Sequence, residues 1–223
     1  MVGLGCVEQT LLIPLAARAL ARRLFPSQDF ADRTAEAIAA RLDYDLTRFE
    51  ADREMLRGLV ERSLVLDDLL CRFLKRHPEA HVLSLGAGLS TQFERVDNGR
   101  LHWIDVDRPK VANLRRSLVP PHPRKRLVSA SVAEPGWTSR LGHLRGPTFV
   151  VAEGLLMYLE RAQVVQLAPV ETVARRALYW VYPFARSAPA DHRSTRLRWQ
   201  AAAPAHASAP APFRPSRCAA APH

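Results

Sequence analysis

The chain has 223 residues, of which 48% are hydrophobic, and its formal net charge at pH 7 is +10. This length supports one domain with a substantial core, and no apolar run is long enough to cross a bilayer, so no membrane partner is expected. Cys6, Cys71 and Cys218 are scattered and odd in number, which predicts neither a disulfide framework nor a zinc site and favours a cytoplasmic location.

Three helices are predicted ahead of the first strand, over residues 14–24, 33–42 and 51–76. Pro14 suits the first turn of a helix, and Asp32 is a suitable N-cap for the second helix. In the third helix apolar residues recur at helical spacing, and Pro78 follows its end. We interpret residues 1–79 as a helical cap that forms one domain with the sheet that follows.

Short apolar runs then alternate with helical patterns, which is typical of a parallel sheet with right-handed crossovers. Strands are predicted over residues 81–85, 101–104, 127–129, 148–152 and 177–182. Helices are predicted over residues 109–118 and 161–176, and another is expected directly after the first strand. Residues 80–185 are therefore predicted to form an α/β core.

The sequence Gly86-Ala87-Gly88 ends the first predicted strand and opens a helix. Glycines allow the backbone to approach a ligand where a Cβ would collide. Asp107 follows the second strand, where a carboxylate can accept hydrogen bonds from ribose hydroxyls. The pattern predicts a nucleoside site, with a purely structural turn as the alternative. The third glycine of the dinucleotide fingerprint is absent, which disfavours a nicotinamide-dependent oxidoreductase.

Three segments carry a resemblance to a known family: residues 8–15, residues 86–107 and the sequence FVVAEGLLMYL at residues 149–159. Together they resemble the leucine carboxyl methyltransferase family, which comprises class I S-adenosylmethionine-dependent O-methyltransferases and includes bacterial polyketide-tailoring enzymes. The resemblance extends from about residue 10 to about residue 179. It implies a Rossmann-like fold, S-adenosylmethionine as methyl donor, and a small acceptor with a carboxylate or hydroxyl group.

The resemblance also implies donor-binding roles for individual residues of the sheet region. Gly86 and Gly88 would line the donor through their backbone, and Asp107 would hold the ribose. The dipeptide Ser131-Val132 stands at the family's adenine-binding position, where an acidic residue is more usual than serine.

Further residues are candidates through charge or aromatic character. The resemblance implies that Arg62 matches an arginine that in the family binds the donor's carboxylate, a role for which a planar guanidinium is suited, and Arg18 is a second candidate for that contact. Glu153 ends the fourth strand, where side chains face the ligand crevice of an open α/β sheet. Tyr158 is interpreted as a core aromatic rather than a sulfonium contact. Asp105 is interpreted as a residue that orients the loop or caps the next helix, rather than as a ligand of the donor.

No residue stands out as a general base, and no catalytic residue or metal ligand is predicted. His102 and His143 are candidates by type alone, with structural roles preferred. Methyl transfer is an in-line displacement that requires positioning and desolvation. A carboxylic acid is already ionised near pH 7, whereas a phenol with a pKa near ~10 would benefit from a base.

Residues 186–223 are rich in alanine, proline and arginine, which predicts a disordered tail. This composition is typical of a shifted reading of GC-rich DNA, and the family's closing strands have no counterpart in the sequence. A catalytically inactive methyltransferase remnant is therefore the alternative function. Nucleic-acid binding is disfavoured, because the tail supplies half of the net charge with only two aromatic residues, Trp199 and Phe213, and the basic run at 124–126 is interpreted as a solvated loop.

Overall fold

The computed structural model describes residues 10–165 and residue 167. Within this part of the chain, parallel strands form one four-stranded sheet with helices around it, which confirms the predicted α/β Rossmann-like class. Three predictions lie wholly or partly outside the described residues: the strand over 177–182, the helix over 161–176 and the tail over 186–223.

The helices that precede the sheet are α1 (Leu12–Leu24), α2 (Arg33–Ala40) and α3 (Arg53–Arg76). Asp32 caps α2 as predicted, since its Oδ1 atom accepts a hydrogen bond of 2.8 Å from the Ala35 backbone N–H. α3 begins two residues later than predicted, because a 3₁₀ turn over Leu46–Ala51 precedes it and Asp52 caps its first turn. Apolar side chains of α1 pack against α2 and α3, so the three helices share a core.

The strands are β1 (His81–Leu85), β2 (His102–Asp107), β3 (Lys125–Ser129) and β4 (Thr148–Val151), and the helices among and after them are α4 (Gln92–Val96), α5 (Pro109–Leu118) and α6 (Arg161–Val165). The order across the sheet is β3-β2-β1-β4, with every neighbouring pair parallel. The chain therefore reverses its winding direction between β1 and β4. In open α/β sheets, ligands bind in the crevice at the carboxyl ends of strands at such a point.

β2 continues three residues beyond its predicted end, because its acidic residues are buried with partners. Asp105 and Asp107 are 2% and 8% exposed. Asp105 accepts hydrogen bonds from Trp103 Nε1 and from the Arg115 guanidinium, and Asp107 accepts from two backbone N–H groups. A buried carboxylate with such partners is tolerated in a strand, whereas the sequence alone suggested a loop.

The basic run over residues 124–126 is not the solvated loop that the sequence suggested. Lys125 and Arg126 belong to β3, and Lys125 Nζ pairs with Glu94 on α4. Arg124 pairs with Asp97, and Arg126 donates a hydrogen bond to the Leu141 carbonyl. Two of the three charges are therefore paired with carboxylates within the fold, while Arg126 stays exposed.

Two further expectations concern the cysteines and the cellular location. Cys71 lies buried on α3 and is disulfide-bonded, whereas the sequence analysis expected no disulfide framework. Across residues 10–165 and 167, no helix has the length and apolar character needed to cross a bilayer. The cytoplasmic location stays a prediction.

Candidate functional site

A cavity of about 620 Å³ opens at the carboxyl ends of the strands, between the sheet and helices α1 and α3. Pockets of ~300–1,000 Å³ hold small organic ligands. Every residue that the sequence analysis assigned to the cofactor lines this cavity: Arg62, Gly86, Gly88, Asp107, Ser131, Val132 and Glu153. The cavity thus brings the predicted set together, while the binding role of each residue stays a prediction.

The glycine turn after β1 forms the floor of the cavity in a conformation that favours glycine. Gly86 and Gly88 have φ angles of 61° and 50°. A Cβ on Gly86 would lie 2.8 Å from Leu155 Cδ1, and one on Gly88 would lie 3.0 Å from Leu11 Cδ2. The turn is therefore packed closely against Leu155 and Leu11, which leaves no room for a side chain at either glycine.

Asp107 is fixed at the end of β2 by the same turn. Its Oδ2 atom accepts a hydrogen bond of 2.7 Å from the Gly88 N–H, and its Oδ1 atom accepts one of 2.8 Å from the Arg108 N–H. Burial raises the pKa of the Asp107 carboxyl, and the two N–H donors act against that rise. Each oxygen keeps a further lone pair, so the carboxylate can still accept hydrogen bonds from ligand hydroxyls.

Arg115, on α5, links the glycine turn to β2. Its guanidinium pairs with Asp105, with Nη2 and Nε lying 2.7 Å and 2.9 Å from Oδ2. Its Nη1 atom donates to the carbonyls of Gly88 and Ser90 at 3.0 Å and 2.7 Å. Asp105 therefore orients the loop through Arg115. The sequence analysis missed Arg115, although its spacing from Val111 and Leu118 places it on the buried face of α5.

Arg62 and Glu153 form an ion pair at the wall of the cavity. Arg62 Nε on α3 lies 2.9 Å from Glu153 Oε1, which follows β4, and the two side chains are 11% and 13% exposed. The Arg62 Nη2 atom lies 3.7 Å from where a Cβ on Gly154 would be. Glu153 therefore fixes the orientation of Arg62, a link between two candidates that the sequence treated separately.

Arg18 enters the cavity from α1 and belongs to a buried charge network. Its Nη2 atom donates to the Leu89 carbonyl at 2.9 Å, and its Nε atom lies 3.5 Å from Asp32 Oδ2 without a hydrogen-bond partner within the described residues. Burial lowers the pKa of Arg18, and the Asp32 carboxylate opposes this. Asp32 also accepts from Arg95, which in turn pairs with Asp67 at 2.6 Å.

Comparison with known proteins adds evidence that the geometry alone does not provide. A family model described as leucine carboxyl methyltransferase matches residues 9–170. The chain belongs to the leucine carboxyl methyltransferase family. The predicted family, the methyltransferase class and S-adenosylmethionine as cofactor are thereby confirmed, and the nicotinamide-dependent alternative does not fit.

Two curated relatives of this methyltransferase agree with that assignment. One is the "tetracenomycin polyketide synthesis O-methyltransferase TcmP" of Streptomyces glaucescens, 38% identical over 189 residues that cover 81% of this chain and 69% of the relative. The other is the "S-adenosyl-L-methionine-dependent methyltransferase dpfgK" of Gibberella zeae, 33% identical over 182 residues that cover 74% of this chain and 60% of the relative.

The remaining candidate residues of the methyltransferase occupy different positions. Ser131 Oγ accepts a weak 3.3 Å hydrogen bond from the Ala133 N–H, and Val132 is buried beside it. Tyr158 is 55% exposed in a 3₁₀ turn over Leu156–Tyr158, so its interpretation as a core aromatic is wrong. His102 begins β2, with its ring centroid 5.2 Å from that of His81, at the amino ends of the strands, whereas the cavity lies at their carboxyl ends. Residues 10–165 and 167 contain no group of three potential ligands that could hold a metal ion.

Proposed function

We propose that this methyltransferase transfers a methyl group from S-adenosylmethionine to the carboxylate of a small organic acid. A hydroxyl acceptor is the alternative, and the name of the Streptomyces relative makes a polyketide one candidate acceptor. The observation that carries the proposal is the set of titratable residues at the cavity. Among the described lining residues these are three arginines, Asp107, Glu153 and Tyr158, with no histidine, lysine or cysteine.

Both carboxylates at the cavity have another role in this proposal. Asp107 is assigned to the ribose of the donor, and Glu153 is paired with Arg62, so neither is available to take a proton from an acceptor hydroxyl. A base that deprotonates a phenol needs a pKa close to the working pH and reach to the hydroxyl proton. A carboxylate acceptor avoids that requirement, because it is already ionised at neutral pH.

The donor supplies an electrophilic methyl group on a sulfonium, and the chain's own residues would hold and orient it. Asp107 would accept hydrogen bonds from the ribose, and Arg62 would bind the carboxylate of the donor. Glu153 would keep Arg62 in position, and Gly86 and Gly88 would allow close backbone approach. Binding the donor and the acceptor in line lowers the entropic part of the activation barrier of methyl transfer. The transfer requires no covalent intermediate.

A methyl-transfer assay with labelled donor would test the proposal on matched acceptors, such as 2-naphthoate and 2-naphthol. We expect transfer to the carboxylate at a rate that is nearly constant between about pH 6 and 9, because the acceptor's ionisation does not change in that range. Asp107→Ala should slow transfer at low donor concentration by about 5- to 150-fold, and Ser139→Ala, a change on the exposed surface away from the cavity, should leave it unchanged.

Other results of the same assay would contradict the proposal. Transfer only to the naphthol, rising towards pH 10, would favour the hydroxyl acceptor. Donor binding without transfer to any acceptor would favour the inactive remnant.

A further inference from the structure

Asp32 supports the cavity without lining it. Its side chain is buried at the start of α2 and is absent from the described residues that line the cavity. Its Oδ1 atom caps α2, which leaves Oδ2 for other donors. This oxygen accepts hydrogen bonds from Thr91 Oγ and from Arg95 Nη1, and it lies 3.5 Å from Arg18 Nε. The helix cap therefore accounts for only one of the two carboxylate oxygens.

Thr91 is directed to Asp32 instead of to its own helix. It occupies the N-cap position of α4, where a threonine hydroxyl commonly accepts a hydrogen bond from the first turn, yet its side chain makes no such bond. Thr91 is fully buried, and its hydroxyl donates to Asp32 and accepts from Arg95 at 3.1 Å. Two residues earlier, the Leu89 carbonyl accepts a hydrogen bond of 2.9 Å from Arg18. Partners of Asp32 thus hold both ends of the short segment that joins the glycine turn to α4.

The Arg18 guanidinium depends on Asp32 for its charge balance. Arg18 is 4% exposed and lines the cavity, and Asp32 is the only carboxylate that pairs with it among the described residues. Arg95 differs, because Asp67 also pairs with it at 2.6 Å. A change that removes the Asp32 charge leaves Arg95 paired and Arg18 without a carboxylate. Since a buried charge without a partner is strongly unfavourable, Arg18 would leave its present position and release the Leu89 carbonyl.

We propose that Asp32 is a positioning residue for the methyl donor, which holds Arg18 and residues 89–91 in the donor-binding arrangement without touching the donor. Leu89 and Ser90 line the cavity beside the glycine turn, so a shift of this segment changes the donor site directly. Groups that contact a ligand keep their geometry only when the residues behind them are fixed. The inference goes beyond the proposed function and rests on the donor site assigned there. It places part of the control of donor affinity in the helical cap, outside the sheet.

Calorimetric titration with S-adenosylhomocysteine would test this role, at a temperature where circular dichroism shows each variant to be folded. This probe lacks the sulfonium charge, so a loss of affinity does not reflect repulsion of that charge by Arg18. Asp32→Asn keeps an oxygen that can cap α2 and replaces Oδ2 by an NH2 group that cannot accept, so affinity should fall by about 2- to 30-fold. Asp52→Asn is the matched control, because Asp52 caps α3 through the same kind of bond, at 2.9 Å, and is exposed; its affinity should stay unchanged.

Two substitutions of Thr91 give a second test that changes no charge. Thr91→Val keeps the shape of the side chain and removes the hydroxyl, and it should weaken binding of S-adenosylhomocysteine within the same range. Thr91→Ser keeps the hydroxyl and should restore the affinity to within about twofold of the unmodified chain. Asp32→Asn should also cost less affinity in an Arg18→Met background, because residues that act through one another are not additive.

The possible failures can be told apart with Asp107→Ala in the same titrations. Weaker binding in Asp107→Ala with unchanged affinity in Asp32→Asn and Thr91→Val would overturn this inference alone. Equal losses in Thr91→Val and Thr91→Ser, or an equal cost of Asp32→Asn in both backgrounds, would overturn it too, since a general loosening of the fold predicts them. The Thr91 pair decides the outcome if Asp32→Asn does not fold. Failure of the unmodified chain to bind S-adenosylhomocysteine would overturn the proposed function along with it.

Discussion

The contact between Arg115 and the glycine turn gives a quantitative prediction for Arg115→Met. Arg115 and Asp105 have side chains that are each 3% exposed. Removing the guanidinium leaves the Asp105 carboxylate buried with the Trp103 indole N–H as its remaining partner among the described residues. The carbonyls of Gly88 and Ser90 lose the same donor. The substitution therefore leaves a buried charge and two backbone acceptors without their principal partner.

The expected loss follows from these contacts. Breaking a buried ion pair by removing one partner destabilises a protein by about 3–5 kcal/mol, and the apolar methionine side chain does not offset the charge that remains. For a domain of this size, 1 kcal/mol corresponds to about 2–4 °C in Tm, so Tm should fall by about 6–20 °C. Donor affinity should fall as well, because Gly88 loses the contact that holds its carbonyl.

Thermal and urea unfolding of Arg115→Met would measure this loss, with Arg116→Met as the matched control. Arg116 is exposed on the same helix and donates to Asn113 alone among the described residues, so its loss should change the free energy of unfolding by less than about 0.5 kcal/mol. Asp105→Asn should cost less in the Arg115→Met background than in the unmodified chain. A loss below about 1 kcal/mol for Arg115→Met would show that the ion pair does not hold the turn.

Three further predictions concern the site and the sheet. Asp107→Ala should weaken S-adenosylmethionine binding by about 1–3 kcal/mol in calorimetry, through loss of charge-assisted hydrogen bonds, and unchanged affinity would exclude the ribose role. Gly86→Ala should destabilise the fold by about 1–3 kcal/mol, because it forces a Cβ at positive φ against Leu155. Gly58→Ala, in the middle of α3 where a Cβ meets no other atom, should stabilise the fold by about 0.5–1 kcal/mol. Equal effects of the two substitutions in chemical unfolding would contradict the argument. Burial and the neighbouring His102 lower the pKa of His81, so the unfolded state binds the proton more readily than the folded state. The free energy of unfolding should therefore fall as the pH drops below about 6.5. His81→Gln should flatten that pH dependence in unfolding titrations.

The sequence was sufficient where local signals and burial agree. β1 and α5 have the bounds that were predicted, since an apolar run ends in glycine in one case and Pro109 opens a helix in the other. The cofactor residues could be gathered because the carboxyl ends of parallel strands meet at one edge of the sheet. The fold class followed from the alternation of strands and helices.

The sequence failed where a polar residue is buried through a distant partner. Asp105 and Asp107 suggested a loop, because nothing nearby in the chain indicates that Arg115 and the backbone of Gly88 neutralise them. The pairing of Arg62 with Glu153 joins residues 91 positions apart and has no local signature. The exposed position of Tyr158 depends on Leu155 reaching Gly86, which a pattern of apolar letters does not reveal.

The position of Asp32 limits how parts of this protein can be exchanged with relatives. One carboxylate caps α2, accepts hydrogen bonds from Thr91 and Arg95 beside the glycine turn, and lies against Arg18 on α1. A chimera that replaced residues 10–52 with those of another family member would import an N-cap residue for α2 that must also match Thr91 and Arg95, which lie outside the exchanged segment. Exchanging these helices to transfer acceptor specificity therefore requires Arg18, Asp32, Thr91 and Arg95 to be transferred as a set.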